Sequence, residues 1–347
     1  MRFLLLIITC LLISSCNKKA KNFEPFTKVE IEPILIDSTL SIRAIDILDD
    51  GNLVFAANDG TYGMYQTVNK KWQIAQQPYD SLKLEFRAVA HTSTDFFMLS
   101  VGSPALLFKT GDDGKMQVVY KEDHPKAFYD AMTFWNDLEG IAIGDPTDSC
   151  LSIIITRDGG YTWQKIPCEQ LPAIKDGEAA FAASNTNIAI VGDKTWVATG
   201  GKVSRVFYSE DKGYSWKVIE TPMIGGLETT GIYSLDFYDE LNGVAIGGDY
   251  TNPDANEANK IITDDGGKTW QLIANNAAPG YRSCVQFVPN SEAQQMVAVG
   301  FKGIDYSFDS GLNWTQLSDA SFYTVRFIDD TTAFAAGKGG ISKLNFK

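Results

Sequence analysis

An all-β chain of seven four-stranded antiparallel blades closed into a propeller is what this sequence predicts, and three observations predict it. First, four segments align without gaps: TRDGGYTW (156–163), SEDKGYSW (209–216), TDDGGKTW (263–270) and SFDSGLNW (307–314). Repetition of this kind marks a modular fold. Second, a longer frame recurs seven times: an aromatic-bearing strand, a polar turn, then a small-residue strand ending near glycine. YDAMTFWNDLEGIAIGD, YSLDFYDELNGVAIGGD and EAAFAASNTNIAIVGD are examples. Third, the span after residue 40 divides into units of about 44 residues, the length of a four-stranded blade.

Composition agrees with a well-cored globular chain: 347 residues, 44% hydrophobic, with 30 Gly, 20 Phe and 14 Tyr. The 43 acidic against 30 basic side chains leave a formal charge of −13. Such a surface repels phosphate backbones, so nucleic acid is not an expected partner.

In chain order, residues 1–15 carry one basic residue, an apolar run from Phe3 to Ile13 and two serines, and read as a secretion signal. Ile13-Ser14-Ser15-Cys16 resembles the bacterial lipobox, which implies that Cys16 is acylated and becomes the first mature residue. Membrane contact then runs through lipid alone. Residues 16–25 form a tether with Lys18, Lys19 and Lys21. Asn17 in place of aspartate, by resemblance to lipoprotein sorting signals, points to the periplasmic face of the outer membrane in a bacterial envelope. Residues 26–347 form one domain, since no linker interrupts the series. The last unit, from Phe322, has three strands before the chain ends. The strand pattern FTKVEIEPIL (26–35) supplies the fourth and completes that blade, which removes exposed sheet edges.

Each octapeptide sits between two apolar strand patterns, hence on the turn of a hairpin. Its aspartate can cap the amides of the tight turn, its glycine accepts positive φ, and its tryptophan packs between sheets. Asp158, Asp211, Asp265 and Asp309, with Trp163, Trp216, Trp270 and Trp314, are therefore expected to be structural. The four motifs resemble the Asp-box (BNR) repeat. GFKGIDYSFDSGLNW and GKGGISKL resemble one branch of such proteins, the seven-bladed photosystem II stability and assembly factors, over residues 41–347. That resemblance implies a propeller that binds a protein client. Asp boxes also occur in sialidases and other glycan-active propellers, so they specify fold more than activity.

The boxes lie on one face, and the first strands begin on the other. Aligning the first strands places Arg43, Arg87, Asp130, Tyr233 and Tyr323 at equivalent positions around the channel mouth, with Glu178 and Arg282 displaced by one. Three arginines there could clamp carboxylates or the acidic segment of a peptide, and tyrosines would add flat contact area. Asp145, Asp249 and Tyr250 belong to loops on the same face. Loop DYTNPDANE (249–257) alternates oxygen-bearing residues but lacks the glycine and distal glutamate of a calcium loop. It reads as a solvated insertion.

A glycoside hydrolase is the competing reading, because sialidases combine arginines with tyrosine and carboxylates, and other propeller hydrolases use two carboxylates. Asp130 and Glu178 would then be catalytic. The Phe/Tyr-Arg-Ile-Pro segment of sialidases is missing. Only His91 and His124 are present, without metal-ligand spacing, and no dinucleotide fingerprint occurs, so neither metal nor cofactor is expected. Cys150 and Cys168 are symmetric about the hairpin turn at residue 159, which sets them face to face for a disulfide or leaves two buried thiols. Cys284 reads as core.

Overall fold

A computed structural model describes residues 24–347. The signal segment and Cys16 lie outside the described residues. The described residues form strands almost throughout, every pairing among them is antiparallel, and their only helices are two single 3-10 turns. No described helix is long and apolar enough to cross a membrane.

β1 (Val29–Ile47), β2 (Leu53–Ala57), β3 (Thr61–Gln66) and β4 (Lys71–Gln76) follow one another in a single sheet. The next units are β5 to β8 (Phe86–His91, Phe96–Ser100, Ala105–Thr110, Met116–Glu122) and β9 to β12 (Tyr129–Phe134, Gly140–Gly144, Ser152–Thr156, Gln164–Lys165). β13 (Glu178–Ala179) is a two-residue strand. β14 (Ile188–Val191), β15 (Lys194–Ala198), β17 (Arg205–Ser209) and β18 (Lys217–Glu220) form another four-stranded sheet. β16 (Gly200–Gly201) links β13 to the sheet of β19 (Thr230–Phe237), β20 (Gly243–Asp249), β21 (Lys260–Thr263) and β22 (Gln271–Leu272). β23 to β26 (Cys284–Phe287, Met296–Gly300, Gly303–Ser307, Thr315–Ser318) make one more, and β27 (Thr324–Phe327) and β28 (Thr332–Phe346) end the chain.

These strands form six sheets, four of four strands and two of six, so by hydrogen-bonded sheets the propeller counts six where the sequence predicts seven blades. The cause is β1. Its first half pairs with β28 (Val29 opposite Phe346) and its second half with β2 (Ile45 opposite Phe55). A strand continuous across both pairings fuses the first and last units into the single sheet β27-β28-β1-β2-β3-β4. A second departure lies in EAAFAASNTNIAIVGD. Only Glu178–Ala179 and Ile188–Val191 are strands, and residues 180–187 leave the sheet.

The first strands β1, β5, β9, β14, β19, β23 and β27 contact one another in chain order around a common axis, and β27 closes onto β1. Apolar side chains of adjacent sheets interlock between them. Phe97, Leu99 and Leu107 meet Tyr129, Met132, Ile154 and Trp163, while Val206 and Trp196 meet Ile232, Phe237 and Trp270. Each such fully buried side chain contributes about 1.5–3 kcal/mol of transfer free energy, which is why the ring holds without helices.

The four boxes are built alike on the turns between third and fourth strands. Thr162 donates its amide (2.9 Å) and hydroxyl (2.7 Å) to Asp158, the Thr156 hydroxyl donates to the same carboxylate, and the Gly160 amide donates to Thr156 Oγ1. Ser215 on Asp211, Thr269 on Asp265 and Asn313 on Asp309 repeat the pattern. Burial pushes these carboxyls up, but the converging donors outweigh it and hold all four below the usual range. Cys150 and Cys168 are joined by a disulfide with an S–S distance of 2.02 Å, and Cys284 is free and buried.

Candidate functional site

The site begins with a backbone irregularity. Arg43, Arg87, Asp130 and Tyr233 are each the extra residue of a β-bulge in a first strand, Arg43 in the second half of β1: the register slips between Ile42 and Ala44, Phe86 and Ala88, Tyr129 and Ala131, and Ile232 and Ser234. A bulge re-aims the side chain it carries. At three of the four positions the result is a side chain directed into one cavity of about 340 Å³, lined by Arg43, Arg87, Tyr233, Tyr250 and Tyr323 together with Phe181, Ala182, Ala183, Tyr281 and Phe301.

One wall is aromatic. Phe181 stacks on Tyr233 with centroids 3.9 Å apart and planes 3° from parallel, and Tyr281 meets Tyr233 edge-on at 4.8 Å. Tyr250 and Phe301 extend the wall to the rim, both half-exposed. Burial raises the Tyr233 and Tyr281 phenols well above their ordinary value, so both stay neutral. The other wall is cationic. The Arg43 guanidinium lies 4.2 Å from the centroid of Tyr323, makes one long hydrogen bond to the Ala183 carbonyl (3.5 Å), and leaves Nε buried without an acceptor. Arg87 pairs with Glu85. Burial, and then the neighbouring Arg87 charge, hold Arg43 below its ordinary value. The attraction of an anion here would offset both effects.

The floor is residues 183–187, which cross the axis. Asn185 accepts from the Met132 amide (2.9 Å) and donates to the Val89 carbonyl (2.8 Å). Thr186 donates to Ser234 Oγ, and its carbonyl accepts from the Leu235 amide. Ser184 donates to the Ser283 carbonyl and accepts at its own carbonyl from Thr324. The segment is thus tied to β5, β9, β19, β27 and the chain entering β23. It separates the mouth from a second cavity of about 400 Å³, which opens at the box face beside Asp46, Asp236 and Arg326.

The other expected site residues lie behind the wall. Asp130 is fully buried, and neither oxygen has a hydrogen-bond partner in good geometry. Burial, then the charge of Asp145, raises its carboxyl well above the usual range, partly offset by Arg87. Asp145 accepts from the Ala180 amide at 2.8 Å, and burial pushes it up to about 6. Glu178 is held by Arg205 through two hydrogen bonds (3.0 and 2.5 Å), by the Thr199 hydroxyl and by the Lys175 amide. Arg282 is buried against Asp305 at 2.5 Å and donates to the Tyr281 carbonyl, so it supports Tyr281 from behind. Asp249 accepts from the amide and hydroxyl of Thr251 and shapes the turn that presents Tyr250.

Sequence alignment missed Phe181, Tyr281 and Phe301. Tyr281 directly precedes Arg282, so moving that one strand by a single place recovers it. Phe301 follows a small-residue second strand as Tyr250 does. Phe181 carries no such signal, because its segment leaves the sheet.

Residues 261–272 match the BNR/Asp-box repeat family. No curated protein matches the chain by sequence. Among solved structures, "YCF48 bound to D1 peptide" is similar at 14% identity and a TM-score of 0.65, over 94% of this chain and 97% of that one. YCF48 from Cyanidioschyzon merolae is similar at 13% identity and 0.61, over 92% and 98%. A streptogramin B lyase is similar at 16% identity and 0.66, over 94% and 100%. The chain is thus a β-propeller that carries Asp-box turns and is similar in fold to the YCF48 structures, and that fold also carries enzymes.

Proposed function

We propose that this Asp-box propeller captures a peptide segment of a protein client in the mouth cavity. The segment carries a carboxylate for Arg43 and Arg87 and an apolar or aromatic side chain for the wall of Phe181, Tyr233 and Tyr281. We further propose that the protein acts as an assembly or scaffolding factor, anchored in a bacterial envelope through an acylated Cys16 on the periplasmic face of the outer membrane. The observation that carries the reading is that Arg43 and Arg87 line one cavity together with an aromatic wall. A propeller of the same fold that holds a peptide supports it. Glycan hydrolysis by Asp130 and Glu178 is favoured less: the first carboxyl is buried behind the wall and the second is saturated by Arg205, Thr199 and the Lys175 amide.

The test uses in-cell photocrosslinking from Tyr250 to identify the client, then titration of its peptides. Arg43→Ala with Arg87→Ala is expected to weaken binding by 10-fold or more, about 1.5–3 kcal/mol for charged hydrogen bonds. Thermal stability should stay near wild type. Unchanged affinity would reject the mouth as the site.

A further inference from the structure

We infer that the box face is the membrane-proximal face of this protein and that the mouth opens away from the bilayer, so its client arrives from the aqueous side. This rests on the anchoring through Cys16 proposed above.

The chain enters the described structure at the level of the boxes. The Thr27 and Lys28 amides donate to the Lys347 carbonyl (2.7 and 3.1 Å), and the Phe346 amide donates to the Thr331 carbonyl at 2.8 Å. Thr331 lies in the turn between β27 and β28. In other units the corresponding turn, between first and second strands, receives the box: the Gly159 amide donates to the Leu138 carbonyl and the Gly266 amide to the Leu241 carbonyl, both at 2.9 Å. Phe26 packs on Tyr306 (4.9 Å) and Phe346 (5.3 Å), as Trp163 packs on Phe97 and Phe134. The entering chain therefore stands where the last unit would carry a box.

Arg43, Arg87, Tyr233 and Tyr323 stand at the opposite end of the first strands. The eight residues of β19 alone span about 26 Å. Nine residues separate Cys16 from the docked Phe26. Their fully extended reach is about 32 Å, and the average reach of such a chain is roughly half of that. Seating the mouth on lipid would require that tether to pass along the strand height and around the rim.

The tether alone holds the proximal face near the bilayer, because the charge of that face opposes adhesion. Its turns carry the acidic pairs Asp49-Asp50, Asp112-Asp113, Asp239-Glu240, Asp264-Asp265 and Asp329-Asp330. Anionic headgroups repel such a face. The recognition surface is then the mouth, and it fits a soluble client or a chain that projects past the propeller.

The full-length lipidated protein in phosphatidylcholine vesicles tests this. Leu138→Cys on the box face and Leu227→Cys in the loop before β19 are both exposed positions. The native thiols do not compete, because Cys150 and Cys168 are bridged and Cys284 is buried. A donor dye at Leu138→Cys should transfer energy to an acceptor lipid severalfold better than one at Leu227→Cys. Equal or reversed transfer in protein that floats with the vesicles would overturn the orientation and leave the anchoring intact. Protein that fails to float, as the Cys16→Ser variant should, would overturn the anchoring and this inference together.

Discussion

Replacing Asn185 by glycine isolates what holds the floor of the mouth in place. Asn185 has φ of +58°, a left-handed conformation in which glycine is unstrained, so the perturbation is loss of the side chain. Two hydrogen bonds go with it, those with the Met132 amide and the Val89 carbonyl. Both partners are main-chain groups of first strands beside a buried side chain. An orphaned buried polar group costs about 1–3 kcal/mol, and partial hydration from the lower vestibule brings the sum to about 2–4 kcal/mol. For a domain of this size that corresponds to a fall in Tm of roughly 3–6 °C. Calorimetric melting, with urea unfolding as a second measure, reads it directly. Asn185→Asp keeps the acceptor but loses the donor to Val89, and should fall by a similar amount. A Tm within about 1 °C of wild type for both variants would refute the reasoning, because the segment would then be held without that side chain.

Two further outcomes follow from buried and capped carboxylates. Asp265→Ala removes three hydrogen bonds from one box and should cost about 1–2 kcal/mol in urea unfolding, with no change in peptide affinity at the opposite face. The Asp145 carboxyl is raised from its ordinary value to about 6 in the folded chain, so its contribution is greatest below about pH 4 and is lost as pH rises through about 6. Asp145→Asn retains an acceptor for the Ala180 amide, and it should come close to wild type near pH 4 and exceed it by roughly 3 kcal/mol at pH 8, as followed by denaturation across that range. A pH-independent difference would show that the carboxyl does not titrate there.

What was legible in the residues was local. The octapeptides place a carboxylate, a glycine and a hydroxyl within one turn, and that chemistry closes the same loop wherever it occurs. The strand pattern likewise requires no distant partner. Four members of the mouth, Arg43, Arg87, Tyr233 and Tyr323, were legible because repeated strands put equivalent positions at equivalent radii. Glu178 and Arg282 were not, since a shift of one residue reverses a strand side chain and hands the position to a neighbour such as Tyr281.

By itself the sequence determined an all-β ring of repeated hairpins with capped turns on one face and arginines and tyrosines on the other. Only the tertiary structure decided the number of sheets, because the continuity of β1 depends on a partner some 300 residues away, Phe346 opposite Val29. It also decided that residues 180–187 abandon the sheet. Their alternation suits a strand, but the backbone groups of β5, β9 and β19 facing the axis offer these residues the hydrogen bonds that a neighbouring strand would have supplied, and a pattern read along one segment holds no record of such groups.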